Sequence, residues 1–255
     1  MLLAIDVGNT NIALGVYNDS VLAADWRIRT QLGRTADEYG MLIVELLQYK
    51  DLSLTDITGI IIANVAPPTM RELLEACRKY FDLEPYVVEA DKESGIVIHY
   101  QPRSNVGADR IANAVAAFTL YGGPAIVVDL GTATTFDAIS AAGEYMGGAI
   151  APGVMISLDA LFRAASRLPR IDLVPAPSAI GTTTETSMQA GVVFGYAGQV
   201  DEMVMRFRRE LGEEAKVIAT GGLAELIAPE TRTVQIVNRL LTLEGLRLIW
   251  DRQKK

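Results

Sequence analysis

The sequence holds one cysteine, Cys77, and one histidine, His99, in 255 residues. A single thiol leaves no intramolecular disulfide and no zinc site built on paired thiolates, and the redox setting it favours is the cytosol. One imidazole excludes histidine clusters for metal. A Ser-His-Asp triad would have to run through His99, which reads instead as a structural or peripheral residue. Positive charge is in short supply as well: Lys and Arg number 23 against 31 Asp and Glu, a formal charge of -8. General attraction to a nucleic-acid backbone or anionic lipid is therefore not expected, while a local basic pocket for a small phosphate compound stays compatible with that balance. No apolar run approaches the roughly 18 residues that cross a bilayer. Met1-Leu2-Leu3-Ala4-Ile5-Asp6 meets a carboxylate with no basic flank, so no export signal is expected. There is no Gly-Lys dipeptide, which excludes a P-loop nucleotide site. The expectation is a cytoplasmic protein with no nucleic-acid and no membrane partner.

What is present is an apolar half, enough for one large or two small cores. Leu2–Val7 and Ile12–Tyr17 read as strands joined by the polar tip Gly8-Asn9-Thr10-Asn11, and Val21–Ile28 as a third. Thr35-Ala36-Asp37-Glu38 caps a helix with Tyr39, Leu42, Ile43 and Leu46 on one face. Gly59–Val65 is β-branched throughout its middle, as a strand buried on both faces should be, and Pro67-Pro68 starts the next helix. Past the middle the order begins again: Ala125–Leu130 is a strand ending in a carboxylate, with further strands over 134–140, 145–151 and 216–220 and helices over 153–165 and 185–211. An internal repeat of this kind predicts an α/β fold of two similar lobes, residues 1–122 and 123–255, each with a mixed sheet. The polar tail Asp251–Lys255 is expected to lack structure.

Three motifs sit at strand ends. Asp6-Val7-Gly8-Asn9-Thr10 is Asp-x-Gly-x-Thr on a strand-turn-strand. Glycine lets backbone N–H groups approach phosphate oxygens, the threonine adds a donor, and the aspartate can hold a hydrated magnesium ion. A tight hairpin favours the same residues for its own reasons, so one copy decides little. Asp129-Leu130-Gly131-Thr132-Ala133-Thr134 supplies a second copy at the equivalent place, and two such hairpins can close on one polyphosphate. Ala219-Thr220-Gly221-Gly222-Leu223 follows a later strand, where paired glycines would let the backbone lie against adenine or ribose. The set resembles the actin, sugar-kinase and heat-shock ATPase superfamily, which implies a duplicated ribonuclease-H-like fold with two mixed five-stranded sheets around a nucleotide cleft.

A more specific resemblance begins at Asn105-Val106-Gly107-Ala108-Asp109-Arg110-Ile111, preceded by Tyr100 and Pro102. This stretch, the opening Asp6–Asn11, Asp129–Thr135 and Gly148-Ala149-Ile150-Ala151-Pro152-Gly153 together resemble the type III pantothenate kinases, in the same order. That resemblance implies ATP-dependent phosphorylation of pantothenate, the first step of coenzyme A synthesis. It further implies that Asp6, Val7, Gly8, Asn9, Thr10, Asn11, Ile12 and Ala13 line the ATP phosphates and that Thr132 also contacts ATP. Tyr100, Gly107, Ala108, Asp109, Arg110 and Thr184 would contact pantothenate, Asp109 as general base. Asp129 would bind a monovalent cation, potassium or ammonium, with magnesium carried by the nucleotide. The resemblance also implies a homodimer.

The chemistry stands independently of the resemblance. Phosphoryl transfer needs alignment of an acceptor hydroxyl with the γ-phosphate and an offset for its charge. Asp109 can accept the hydroxyl proton, and its place at a helix start is expected to keep it ionised at neutral pH. Arg110 offers five donors in a plane, suited to anchoring a carboxylate or steadying a transferring phosphate. Thr182 and Glu185 stand at capping-box spacing, which would leave Thr184 to face substrate. Gly191, Gly195 and Gly198 suggest close helix packing, at a subunit interface. Two other readings are another small-molecule kinase of the superfamily and a non-catalytic accessory factor.

Overall fold

In the computed structural model, residues 1–90 and 94–254 are described. The chain divides into two compact units, one made of Met1–Ile96, Tyr100–Ala116 and Leu241–Lys255, the other of Val97–His99 and Ala117–Leu240.

The first unit opens with β1 (Leu2–Val7), β2 (Asn11–Asn18) and β3 (Val21–Arg29), an antiparallel meander. There follow α1 (Ala36–Tyr49), β4 (Gly59–Asn64), α2 (Met70–Phe81), β5 (Tyr86–Val87) and α3 (Ala108–Tyr121). The sheet order is β3-β2-β1-β4-β5, with β4 parallel to β1. The two central strands are buried almost end to end, as their uninterrupted apolar sequences require, whereas β3 at the edge alternates. Leu3, Ile5, Val7, Leu14 and Ile62 pack against Tyr39, Ile43 and Leu47 of α1 and Leu73 and Cys77 of α2. The Thr35 capping box forms as its spacing predicts, with Glu38 Oε2 accepting from Thr35 N at 2.7 Å. Burial of Cys77 pushes its thiol up to about 12, so it stays protonated and inert.

The second unit repeats the plan with β6 (Ala125–Leu130), β7 (Ala133–Ile139) and β8 (Tyr145–Pro152), then α4 (Val154–Ala164), α5 (Thr184–Leu211), β9 (Lys216–Thr220), α6 (Ala224–Ile227) and β10 (Ile236–Val237). Its sheet order, β10-β9-β6-β7-β8, is that of the first sheet read from the other edge. The duplication expected from the sequence is therefore present strand for strand. Segment Val97–His99 extends this sheet at β8: Tyr145 N donates to Val97 O and His99 N to Tyr145 O, each at 2.8 Å.

The last helix, α7 (Leu241–Gln253), departs from the expected halves 1–122 and 123–255, because it belongs to the first unit. Leu241, Leu246 and Ile249 are fully buried there, and a Cβ on Gly245 would lie 2.0 Å from the Ala112 carbonyl oxygen, so α7 rests on α3 at backbone contact. The helix also takes up Asp251–Gln253, which the sequence reading left unstructured. Arg247 pairs with Asp251 one turn on, at 2.8 Å, and Arg252 Nη1 donates to Gly95 O at 2.7 Å. Lys255 lies outside the described residues. Among the described residues no helix is long and apolar enough to cross a membrane.

Candidate active site

The first acidic hairpin is built by β1 and β2. Asp6 stands beside Ala13 on β2 and Ala63 on β4, and the turn closes where Gly8 N donates to Asn11 O at 3.0 Å. A Cβ on Gly8 would sit 3.0 Å from that same oxygen, so a side chain there would press on the turn. Asn9, Thr10 and Asn11 are exposed, while Val7 and Ile12 are wholly buried. Val7 and Ile12 therefore present no open surface to a ligand, a restriction the motif did not reveal. Thr30, just past β3, clamps the tip: its Oγ1 donates to Gly8 O at 2.6 Å and its N to Thr10 O at 2.9 Å. Nothing in the sequence near Thr30 signals this. Removing one such hydrogen bond costs about 1 kcal/mol. Thr30→Val is thus expected to weaken binding of a phosphate ligand at this hairpin about fivefold, read as a rise in its dissociation constant.

Asp109 lies in the first turn of α3. Its Oδ1 accepts from Arg110 N at 2.8 Å and would lie 2.4 Å from a Cβ on Gly107. The carboxylate is folded back over the residue two before it, which only glycine permits. Asp109 keeps part of its surface open, yet burial of the carboxyl pushes its pKa above the ordinary carboxylate range, against the Arg110 N–H and the Arg110 charge, which pull it down. Burial thus works against the charged form that the helix start was expected to secure, and desolvation is the largest influence on this carboxyl. Arg110 itself is buried, not a surface side chain. Tyr100 is half-buried in the same unit. Val65, missed by sequence reasoning, links hairpin and helix. Its N donates to Val7 O at 3.0 Å, and its Cγ1 would lie 3.3 Å from a Cβ on Gly107.

In the second unit Asp129 ends β6 beside Thr135 on β7 and Thr220 on β9. Its Oδ1 sits in a cradle of glycines: a Cβ on Gly131 would come within 3.1 Å of it and one on Gly221 within 2.4 Å. Gly221 has φ +93, so its backbone conformation also selects glycine. Gly221 thus serves Asp129, a role its place in the Gly-Gly pair did not suggest, and the helix that follows is only four residues long. Thr132 is exposed at the loop tip, and its carbonyl oxygen would lie 2.0 Å from a Cβ on Gly153. That contact explains the glycine after Pro152.

Thr184 is the exposed first residue of α5, also in the second unit. The cap lies one residue later than expected. Thr183, not Thr182, accepts from Thr186 N at 3.1 Å, and Thr186 answers in place of Glu185. A hydroxyl does for Thr183 N what the carboxylate was expected to do. Among the described residues nothing lies within 4 Å of a Cβ placed on Gly191, Gly195 or Gly198, so those residues make no close packing there.

Comparison with known proteins bears on what this arrangement is. Residues 2–206 match the family model described as type III pantothenate kinase. Curated relatives named type III pantothenate kinase include one from Citrifermentans bemidjiense, 52% identical over 254 residues and 100% of both chains. Another, from Moorella thermoacetica, is 50% identical over 252 residues, 99% of each chain. The chain belongs to the type III pantothenate kinase family. A solved structure at 14% identity, an activator of 2-hydroxyisocaproyl-CoA dehydratase from Clostridium difficile with bound ADPNP, has a TM-score of 0.59 over 99% of this chain and 97% of that one. It speaks for the fold alone, and the expected duplicated actin-like fold is borne out. For a type III pantothenate kinase, the hairpin at Asp6 and the Asp109 turn are held in one unit, with Asp129, Thr132 and Thr184 in the other.

Proposed function

We infer that this chain transfers the γ-phosphoryl group of ATP to the primary hydroxyl of pantothenate, giving ADP and 4'-phosphopantothenate, the first step of coenzyme A synthesis. Membership of the family supports the reaction. The observation that carries the mechanism is the Asp109 carboxylate, held over Gly107 at the start of α3 with its pKa raised by burial. A carboxylate of raised basicity takes the hydroxyl proton more readily as the oxygen bonds to phosphorus. Within the first unit Tyr100, Gly107, Ala108 and Arg110 are assigned to the acceptor. The peptide N–H groups and hydroxyls of 6–13 are assigned to the phosphates in the first unit, and Thr132 is assigned to ATP in the second. Asp6 would hold the hydration shell of a magnesium ion carried by the nucleotide, and that ion would offset phosphate charge.

Asp129 is assigned the monovalent cation. The fit rests on the chemistry of the donor set: Asp129 is paired with Thr135 on β7 and Thr220 on β9, so a carboxylate stands beside two hydroxyl-bearing residues at this strand end. A carboxylate with neutral oxygens suits a singly charged hard ion. A homodimer is proposed on the exposed apolar residues of β8 and of α4, namely Met146, Ile150, Met155 and Ile156, and on the open glycine face of α5. A cytoplasmic setting accords with the single free thiol.

The test is an ADP-release assay on purified protein with ATP and magnesium, offering pantothenate, glucose, glycerol or acetate in potassium or in sodium buffer. ADP formation with pantothenate alone, faster in potassium, is the expected result. Turnover with a sugar instead would replace the acceptor, and equal rates in both buffers would remove the cation.

A further inference from the structure

Asp137 is a fully buried carboxylate in the middle of β7 that the proposed reaction does not use. Tyr145, also fully buried, donates its hydroxyl to Asp137 Oδ1 at 2.8 Å, and Thr135 Oγ1 donates to Asp137 Oδ2 at 3.3 Å. Thr135 and Asp137 are two apart on one strand and so share a face of the sheet. Thr135 is also the antiparallel partner of Asp129, and directly opposed residues place their side chains on the same face, about 5 Å apart at Cβ. A polar series therefore runs across the sheet from Tyr145 through Asp137 and Thr135 to the place of Asp129.

The direction of the hydrogen bonds gives this series its chemistry. A threonine hydroxyl has one hydrogen and two lone pairs. Asp137 Oδ2 accepts the Thr135 hydrogen, which leaves the lone pairs of the hydroxyl oxygen to act as an acceptor. Were Asp137 absent, the hydroxyl could turn and donate to Asp129, offsetting the charge an ion needs. We propose that Thr135 is a further oxygen of the monovalent-cation site and that Asp137, held by Tyr145, is the residue that positions its hydroxyl. This deepens, and rests on, the assignment of the cation to Asp129.

The experiment compares wild type with Thr135→Val, Thr135→Ser and Asp137→Asn in potassium and sodium chloride at equal ionic strength. It reads the potassium concentration for half-maximal rate and the melting temperature gained in potassium over sodium without substrates. Thr135→Val and Asp137→Asn are expected to need about tenfold more potassium and to lose the melting-temperature gain, while Thr135→Ser keeps both. Saturating potassium should recover most of the rate. A wild-type potassium response that Thr135→Val leaves untouched in both readouts would overturn the proposal while leaving Asp129 its ion. No potassium response in the wild type, in rate or in melting, would overturn both. If Asp137→Asn fails to fold, the valine and serine pair at 135 decides alone.

Discussion

Asp109→Asn is expected to lower kcat by about two or more orders of magnitude while leaving the ATP dissociation constant near its wild-type value. The amide fills the same space over Gly107 and can still accept from Arg110 N, so the turn that presents it survives. What it cannot do is take a proton, and a positioned base is worth roughly 10²–10⁴ in rate. Two pH measurements separate this from a general disturbance of the site. Burial raises the Asp109 pKa, so the wild-type kcat/KM should fall on the acid side at a pH above that of an ordinary carboxylate, and the asparagine variant should lack that limb. Stability should move the other way. A carboxyl whose pKa is higher folded than unfolded stabilises the fold fully below its unfolded pKa and loses that contribution as pH rises through the folded value. At neutral pH the wild type bears the cost of a buried charge that asparagine avoids. The variant should melt higher at neutral pH, with the difference closing in acid. A variant that turns over near the wild-type rate would remove Asp109 from the chemistry.

Much of this site was legible because its residues are local. Asp6-Val7-Gly8 and Asp129-Leu130-Gly131 fall at strand ends that the apolar runs define, and the strand order follows from the two repeated patterns. Asp109 was legible through its neighbours in sequence, Gly107 above all. What escaped depends on contacts between distant segments. Thr30 serves the hairpin only because β3 returns beside β2, and Val65 joins β1 to α3 only because β4 lies next to β1. The burial that raises the Asp109 pKa escaped because a helix end is visible in sequence and desolvation is not. The unit boundary was misplaced for a similar reason. No helix was read over Leu241–Gln253, and Leu241, Leu246 and Ile249 find their place in the first unit only through contacts distant in sequence. The shifted cap of α5 is a smaller case, since three consecutive threonines offer three hydroxyls and only the folded turn selects one.

Gly107→Ala should cost about as much activity as a misplaced base, roughly 100-fold in kcat, with little loss of stability. The argument rests on what the new Cβ would meet. At 2.4 Å it would overlap Asp109 Oδ1, the far end of a side chain that can swing away, and at 3.3 Å it would only press on Val65 Cγ1. Gly107 does not have the positive φ that would strain an alanine, and Ile111 N still finds the Gly107 carbonyl at 3.1 Å. The fold should therefore accept the change by giving up the Asp109–Arg110 N hydrogen bond, about 1 kcal/mol. Catalysis should not, because a displacement of about 1 Å in a reacting group costs on the order of 100-fold. Gly153→Ala provides the contrast. There the Cβ would meet the Thr132 carbonyl oxygen at 2.0 Å, a backbone atom that cannot turn aside, so that variant should lose melting temperature as well as rate. Measured together by thermal melting and ADP release, the two alanines should separate along different axes. If Gly107→Ala unfolded as readily as Gly153→Ala, the folded-back carboxylate would be a support of the turn and not a base held ready over it.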